Sequence, residues 1–91
     1  MRRALYSYHD RCRGFLAPFS ASTDDEAKRG FLYSCEKMEY MAFSPDDFSL
    51  YKVGEYDDES GELISCTPPL FIVRGFKKEV VEDGIQDEVF N

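Results

Sequence analysis

Residues 49–63 read SLYKVGEYDDESGEL. A short apolar run meets four acids, Asp57, Asp58, Glu59 and Glu62, interrupted by Ser60 and Gly61. Such a cluster holds a cation, docks a basic partner or turns a corner. A calcium loop of the EF-hand type needs alternating oxygen ligands, glycine at its sixth position and a bidentate glutamate at its twelfth. Counted from Glu55, those two positions hold Ser60 and Cys66; counted from Asp57, they hold Glu62 and Pro68. Neither register fits. Turn chemistry accounts for the residues without a ligand, because Asp and Ser bond to their own backbone and Gly61 supplies a positive φ. The stretch therefore predicts a hairpin, with one strand from Phe48 to Tyr56 and its partner from Leu63 to Cys66. Phe48, Leu50 and Lys52 share one face of the first strand; Ser49, Tyr51 and Val53 share the other. The acids remain a candidate docking surface.

Downstream, Thr67-Pro68-Pro69 predicts a break. Leu70 to Phe76 then forms a further strand, or continues the same one after a bend. Upstream, Thr23 suits a helix N-cap and Glu26 lies three residues on, which makes a capping box. Asp24 and Asp25 fall in the first turn, where the helix dipole favours acids. Ala27, Phe31, Cys35 and Met38 recur at helical spacing and predict one buried stripe. Gly30 lies off that stripe and is expected to permit close approach of the sheet. Pro45 disfavours helix at Ser44, so the helical region ends there.

Ala4 to Tyr8 reads as a strand with Tyr6 and Tyr8 on one face. Asp10 and Gly14 turn the chain, and an apolar run resumes from Phe15 to Phe19. Pro18 lacks an N–H, so this second strand is an edge there or ends nearby. The elements together predict an α+β fold: a small antiparallel sheet with one helix packed on it, in the order ββαββ. Residues 1–76 form the domain, and residues 77–91 an acidic tail or docking arm with Val81, Ile85 and Val89 four apart.

Composition agrees with one small globular domain. The 91 residues are 43% apolar, with eight Phe, six Tyr and no Trp. A core this small gains from a second copy, and an open edge strand invites one, so a homodimer is expected. The net charge of −7 is uneven. Residues 1–22 carry four arginines against Asp10; the rest carries seven basic and seventeen acidic side chains.

The three cysteines, Cys12, Cys35 and Cys66, show no zinc-site pairing with each other, and His9 is the only histidine. Neither a secretory leader nor a membrane-length apolar run is present; the longest is Leu70 to Val73. A reduced, cytoplasmic protein with no membrane partner is expected. There is no nucleophile constellation and no glycine-rich phosphate loop, so no enzymatic activity, cofactor or metal is predicted.

The N-terminal region offers a second surface. Arg2, Arg3, Arg11 and Arg13 are interleaved with Tyr6, Tyr8 and Phe15. Arginine neutralises phosphates and aromatic faces stack on bases, the combination used for single strands.

These residues also carry a resemblance. The stretch SPDD followed by FSLYKVGEYDDESGEL is similar to the signature of the small non-structural protein of gokushoviruses, single-stranded DNA phages of the microvirus group. Tyr6, Tyr8 and Asp10, then Pro18 and Phe19, then Asp24, Glu26 and Ala27 match that family's earlier blocks in order. The resemblance implies a role in the switch to single-stranded genome synthesis, in the cytoplasm of the bacterial host. Single-stranded DNA is then the expected partner, met by the four arginines and by Tyr6, Tyr8 and Phe15. The rival expectation is an interaction module that recruits or redirects a phage or host replication protein, such as an initiator or helicase. It would use Asp57, Asp58, Glu59 and Glu62 with the tail.

Overall fold

A computed structural model describes residues 1–77. The strands are β1 (Arg2–Asp10), β2 (Gly14–Phe15), β3 (Phe19–Ala21), β4 (Phe48–Asp57) and β5 (Leu63–Arg74). Between β3 and β4 lie α1 (Asp24–Lys37), the short α2 (Glu39–Ala42) and a 3₁₀ turn at Pro45–Asp47. All pairings are antiparallel in the order β2-β1-β4-β5, and β3 also pairs with β1. The fold is thus the expected antiparallel sheet with one main helix, but it has five strands. The predicted second strand is split in two, because Pro18 has no N–H to give β1. β2 meets His9 and Asp10, and β3 meets Ala4 to Tyr6. The expected tail spacing of Val81, Ile85 and Val89 lies outside the described residues.

The turn at residues 57–61 is built as its composition dictates. Asp57 Oδ1 accepts from the Glu59 and Ser60 amides at 2.8 and 3.1 Å, and the Gly61 amide donates to the Asp57 carbonyl at 2.8 Å. Gly61 has φ 79°, a conformation costly for a side chain with a Cβ. Beyond it β5 runs through the prolines as one strand. Four residues, Cys66 to Pro69, bulge out opposite the single residue Val53, since Gly54 pairs with Ser65 and Lys52 with Leu70. The Thr67–Pro68 peptide is cis.

At the start of α1 the Glu26 amide donates to Thr23 Oγ1 at 3.0 Å, and Glu26 Oε1 accepts from the Ser22 amide at 2.6 Å. Ala27, Phe31 and Cys35 are buried as predicted and meet Tyr6, Phe48 and Leu50 from the sheet. Met41 of α2 closes this core. Each fully buried large side chain contributes roughly 1.5–3 kcal/mol. Met38 does not join the stripe; it is the extended residue that caps α1 and is exposed. Gly30 is also exposed, with open space where a Cβ would stand, so it serves no close approach.

Asp10 holds the first turn. Its carboxylate accepts from Arg13 Nε at 2.8 Å and from the Cys12 amide at 2.9 Å, and it is buried. The Arg13 bond, then the Cys12 bond, holds the carboxyl below its ordinary range. The unfolded chain restores a value of about 3.9. Between the two values the unfolded chain binds more protons, so stability rises with pH there. The contribution is present above pH ~4 and is lost as pH falls through the lowered value. Asp10→Asn is expected to melt at a lower temperature at pH 7 and to lose part of the wild-type decline in Tm below pH ~4. Parallel acid limbs would show that Asp10 makes no such contribution.

Gly54 packs where β4 presses on β5. A Cβ there would stand 2.5 Å from the Ile64 carbonyl oxygen, which belongs to the backbone and has little room to give. Gly54→Ala is therefore expected to cost about 1–3 kcal/mol, read as a lower urea midpoint at unchanged m.

Candidate nucleic-acid interface on the open sheet face

Side chains alternate across a strand, and α1 covers only one side of this sheet. Tyr6, Tyr8, Phe48 and Leu50 face the core, whereas His9, Phe15, Tyr51 and Phe71 form a ring cluster on the other side. Phe15 lies on β2, His9 on β1, Tyr51 on β4 and Phe71 on β5, so the rings cross four neighbouring strands. Centroids are 4.7 Å apart for His9–Phe15, 5.3 Å for Phe15–Tyr51 and 5.7 Å for Tyr51–Phe71. His9 also meets Tyr51 at 5.9 Å. Every contact is edge-to-face, with planes 66° to 77° apart. Such pairs contribute about 0.5–1.5 kcal/mol each and fix one another's orientation.

Ser7 lets the row close. It is the β1 residue opposite Tyr51, and its hydroxyl donates to the Leu16 carbonyl at 2.7 Å. Being small, it leaves Phe15 and Tyr51 to meet across β1. Phe15 is 48% exposed and Phe71 is 59% exposed; His9 and Tyr51 are half-buried beside them. The row therefore presents ring surface to solvent from a rigid support. A π-face of this kind accepts any base and needs no particular sequence.

Of the three predicted stacking residues, only Phe15 lies in this row. Tyr6 is 1% exposed, and its hydroxyl donates to Asp24 Oδ1 at 2.5 Å. Burial, reinforced by Asp24, pushes this phenol's pKa upward. Tyr8 packs edge-on between Phe19 and Phe31, each 5.2 Å away. Both tyrosines occupy the positions of β1 that face α1, so neither offers a ring to a base. The rings beside Phe15 on the outer face are instead those of His9, Tyr51 and Phe71. Alternation alone put Tyr51 on the face opposite Leu50; the position of Phe71 depends on a bulge that the residues do not announce.

The arginines do not form one patch. Arg2 and Arg3 stand at one end of β1, and Arg11 and Arg13 lie just past the other. Eight residues of strand put Arg3 and Arg11 roughly 27 Å apart. Each has a carboxylate partner. Arg2 reaches Glu55 at 3.5 Å, Arg3 reaches Asp58 at 3.0 Å, Arg11 reaches Asp47 at 3.1 Å and Arg13 reaches Asp10 at 2.8 Å. Arg13 also lies over Tyr40, 5.8 Å from its centroid, on the side away from the aromatic row.

The acidic loop meets this basic end directly. The amino-terminal ammonium bonds Asp58 at 3.0 Å, and with Arg3 it holds that carboxyl below its usual range. Asp57 is committed to the turn. Glu59 and Glu62 are exposed, and among the described residues no ion pair holds them. The predicted basic and acidic surfaces therefore meet at one end only, where Arg3 and the amino terminus neutralise Asp58.

Cys12 is exposed on the first turn, Cys35 is buried in α1 and Cys66 is half-buried in β5. Burial pushes the Cys35 thiol up to about 11, which keeps it protonated at neutral pH and a weak nucleophile. Among the described residues, no group of three or more His, Cys, Asp or Glu could hold a metal ion, and no helix is long and apolar enough to cross a membrane.

No curated protein and no solved structure matches the chain. The sequence model of one family, described as phage ORF5 protein, matches residues 3–78. That match takes in both turns, α1 and all four rings of the aromatic row, and the chain belongs to the phage ORF5 protein family.

Proposed function

We propose that this phage protein acts in viral genome replication by binding single-stranded DNA on the open face of its sheet. The observation that carries the reading is the row Phe15–His9–Tyr51–Phe71, held edge-to-face across four strands and open to solvent. Unpaired bases expose their faces, whereas a duplex hides them in its stack, so the surface favours single strands. Stacking contributes about 1–3 kcal/mol per base. The similarity of residues 4–63 to the gokushovirus non-structural protein supports the same reading, since those phages package a single-stranded genome.

The net charge of −7 repels a polyanion at long range. Binding then rests on contact at the aromatic row more than on steering. No reaction is assigned to the protein, which acts in the host cytoplasm as a homodimer. Its second copy meets β5, the edge strand that carries exposed Leu63 and Leu70. A second reading, recruitment of a replication initiator or helicase, draws on Glu59 and Glu62, the two loop acids that hold no ion pair among the described residues.

The test is fluorescence anisotropy of a labelled single-stranded oligonucleotide at low and moderate salt, beside a duplex of equal length. Wild type is expected to prefer the single strand. Phe71→Ala should weaken that binding by about 1–3 kcal/mol, and Phe71→Leu, which keeps apolar bulk without a π-face, should lose most of the same amount. Phe43→Ala, at an 87% exposed site near the end of α2, should bind as wild type does. No binding at low salt, or full affinity in Phe71→Ala, would overturn the reading.

A further inference from the structure

The arginines that a phosphate backbone would meet are already paired with the protein's own acids. Three of the four acids come from one stretch of chain: Asp47 just before β4, Glu55 within it and Asp58 just after it. Because β4 lies alongside β1 for the whole length of β1, its acids stand next to the arginines at both ends.

The four pairs differ in how firmly they are held. Asp10 is buried and also accepts the Cys12 amide, so its pair with Arg13 belongs to the turn. The other three involve well-exposed arginines, with side-chain exposures of 62% for Arg2, 46% for Arg3 and 72% for Arg11. Exposed ion pairs are weak and exchange readily with other ions. Glu55 is shared, since Lys52 also reaches it at 3.4 Å. Asp58 is shared with the amino terminus.

Resting on the reading of the sheet face as a single-strand site, we infer that Asp47 and Asp58 are affinity-setting residues that compete with DNA phosphate for Arg11 and Arg3. Those two arginines continue the alternation of Ser7 and His9, whereas Arg2 and Glu55, beside Ala4, lie on the α1 side. A strand whose bases stack on Tyr51 has its backbone close to Arg11, which follows His9 by two residues. It reaches Arg3 by extending along β1 over the four residues back from Ser7, which lies opposite Tyr51, roughly 13 Å on the same face. Each phosphate that binds must displace a carboxylate already in place. The exchange replaces one anion by another around the same arginine, so net affinity stays low and only weakly dependent on salt. The acids act through the arginines and are not themselves contacts to DNA.

The experiment compares two double variants of the full chain with the same change in net charge. Asp47→Asn with Asp58→Asn removes the partners of Arg11 and Arg3. Glu59→Gln with Glu62→Gln removes two acids of the β4–β5 turn that hold no arginine among the described residues. Both are measured against a labelled single-stranded oligonucleotide over a salt series. The first is expected to bind about five-fold tighter per arginine released at ~0.1 M salt, with a log–log slope steeper by ~0.7 per added phosphate contact. The second should stay close to wild type in both respects. Adding Arg3→Ala and Arg11→Ala to the first variant should remove its gain; because that also returns the net charge to −7, the second double variant is the comparison that separates arginine release from overall charge. Equal gains from the two variants, or no gain while wild type binds, would overturn this inference and leave the aromatic site standing. If no variant binds at any salt, the single-strand reading fails and this inference fails with it.

Discussion

One 14-residue helix can cover only one side of this sheet, and most of the molecule follows from that limit. The covered side takes Tyr6, Phe48 and Leu50 against Ala27, Phe31 and Cys35. The buried phenol of Tyr6 is satisfied by Asp24 in the first turn of α1, so the same contact that fills the core fixes where the helix begins. Among the described residues, the outer side receives no second layer. A sheet that leaves one face uncovered normally shows polar residues there. Here the face carries four rings, and in a monomer a run of exposed aromatic surface marks an interaction site more often than a packing fault.

Charge follows the same geometry. β1 supplies arginines at and beyond its ends, and β4 with its flanks supplies three of their acids. Cross-strand neighbours of opposite sign stabilise a sheet modestly, and exposed pairs contribute little each. Their larger consequence is to leave the middle of the open face without a concentrated field of either sign. A surface of this kind favours ligands that combine apolar rings with a charge that can be traded, and a single strand is such a ligand.

Much of this was legible from local chemistry. Asp57, Ser60 and Gly61 form the turn that their types require, and Thr23 with Glu26 starts α1 where a capping box should. Alternation along β4 puts Leu50 and Tyr51 on opposite faces. What failed to show was nonlocal. The arginine pairs depend on which residue of β4 lies beside which residue of β1, and nothing within RRALYSYHD states that. Met38 has the right spacing for the buried stripe, but the helix ends before it. Tyr6 and Tyr8 were assigned correctly to one face of β1; only the position of the helix decides that this face is the buried one.

The aromatic row itself is a product of two irregularities. Along β1 and β4, Leu5 pairs with Gly54 but Tyr6 pairs with Lys52, so Val53 is an extra residue. A regular ladder continued from Leu5 would set Tyr51 opposite Tyr8, on the helix side; the bulge sets it opposite Ser7 instead. Along β4 and β5, Leu50 pairs with Val73 but Tyr51 pairs with Phe71, so Ile72 is the extra residue. Without that insertion Tyr51 would face Ile72, and Phe71 would face Lys52. Bulges re-aim side chains where a function needs them, and a one-residue slip moves a side chain to the opposite face. Two bulges in one small sheet both act to gather Tyr51 and Phe71 onto the face that already carries Phe15 and His9. The second bulge also serves the interior, since the consecutive residues Ile72 and Val73 both pack against the core; what packing alone does not call for is four rings collected on the side that α1 leaves bare.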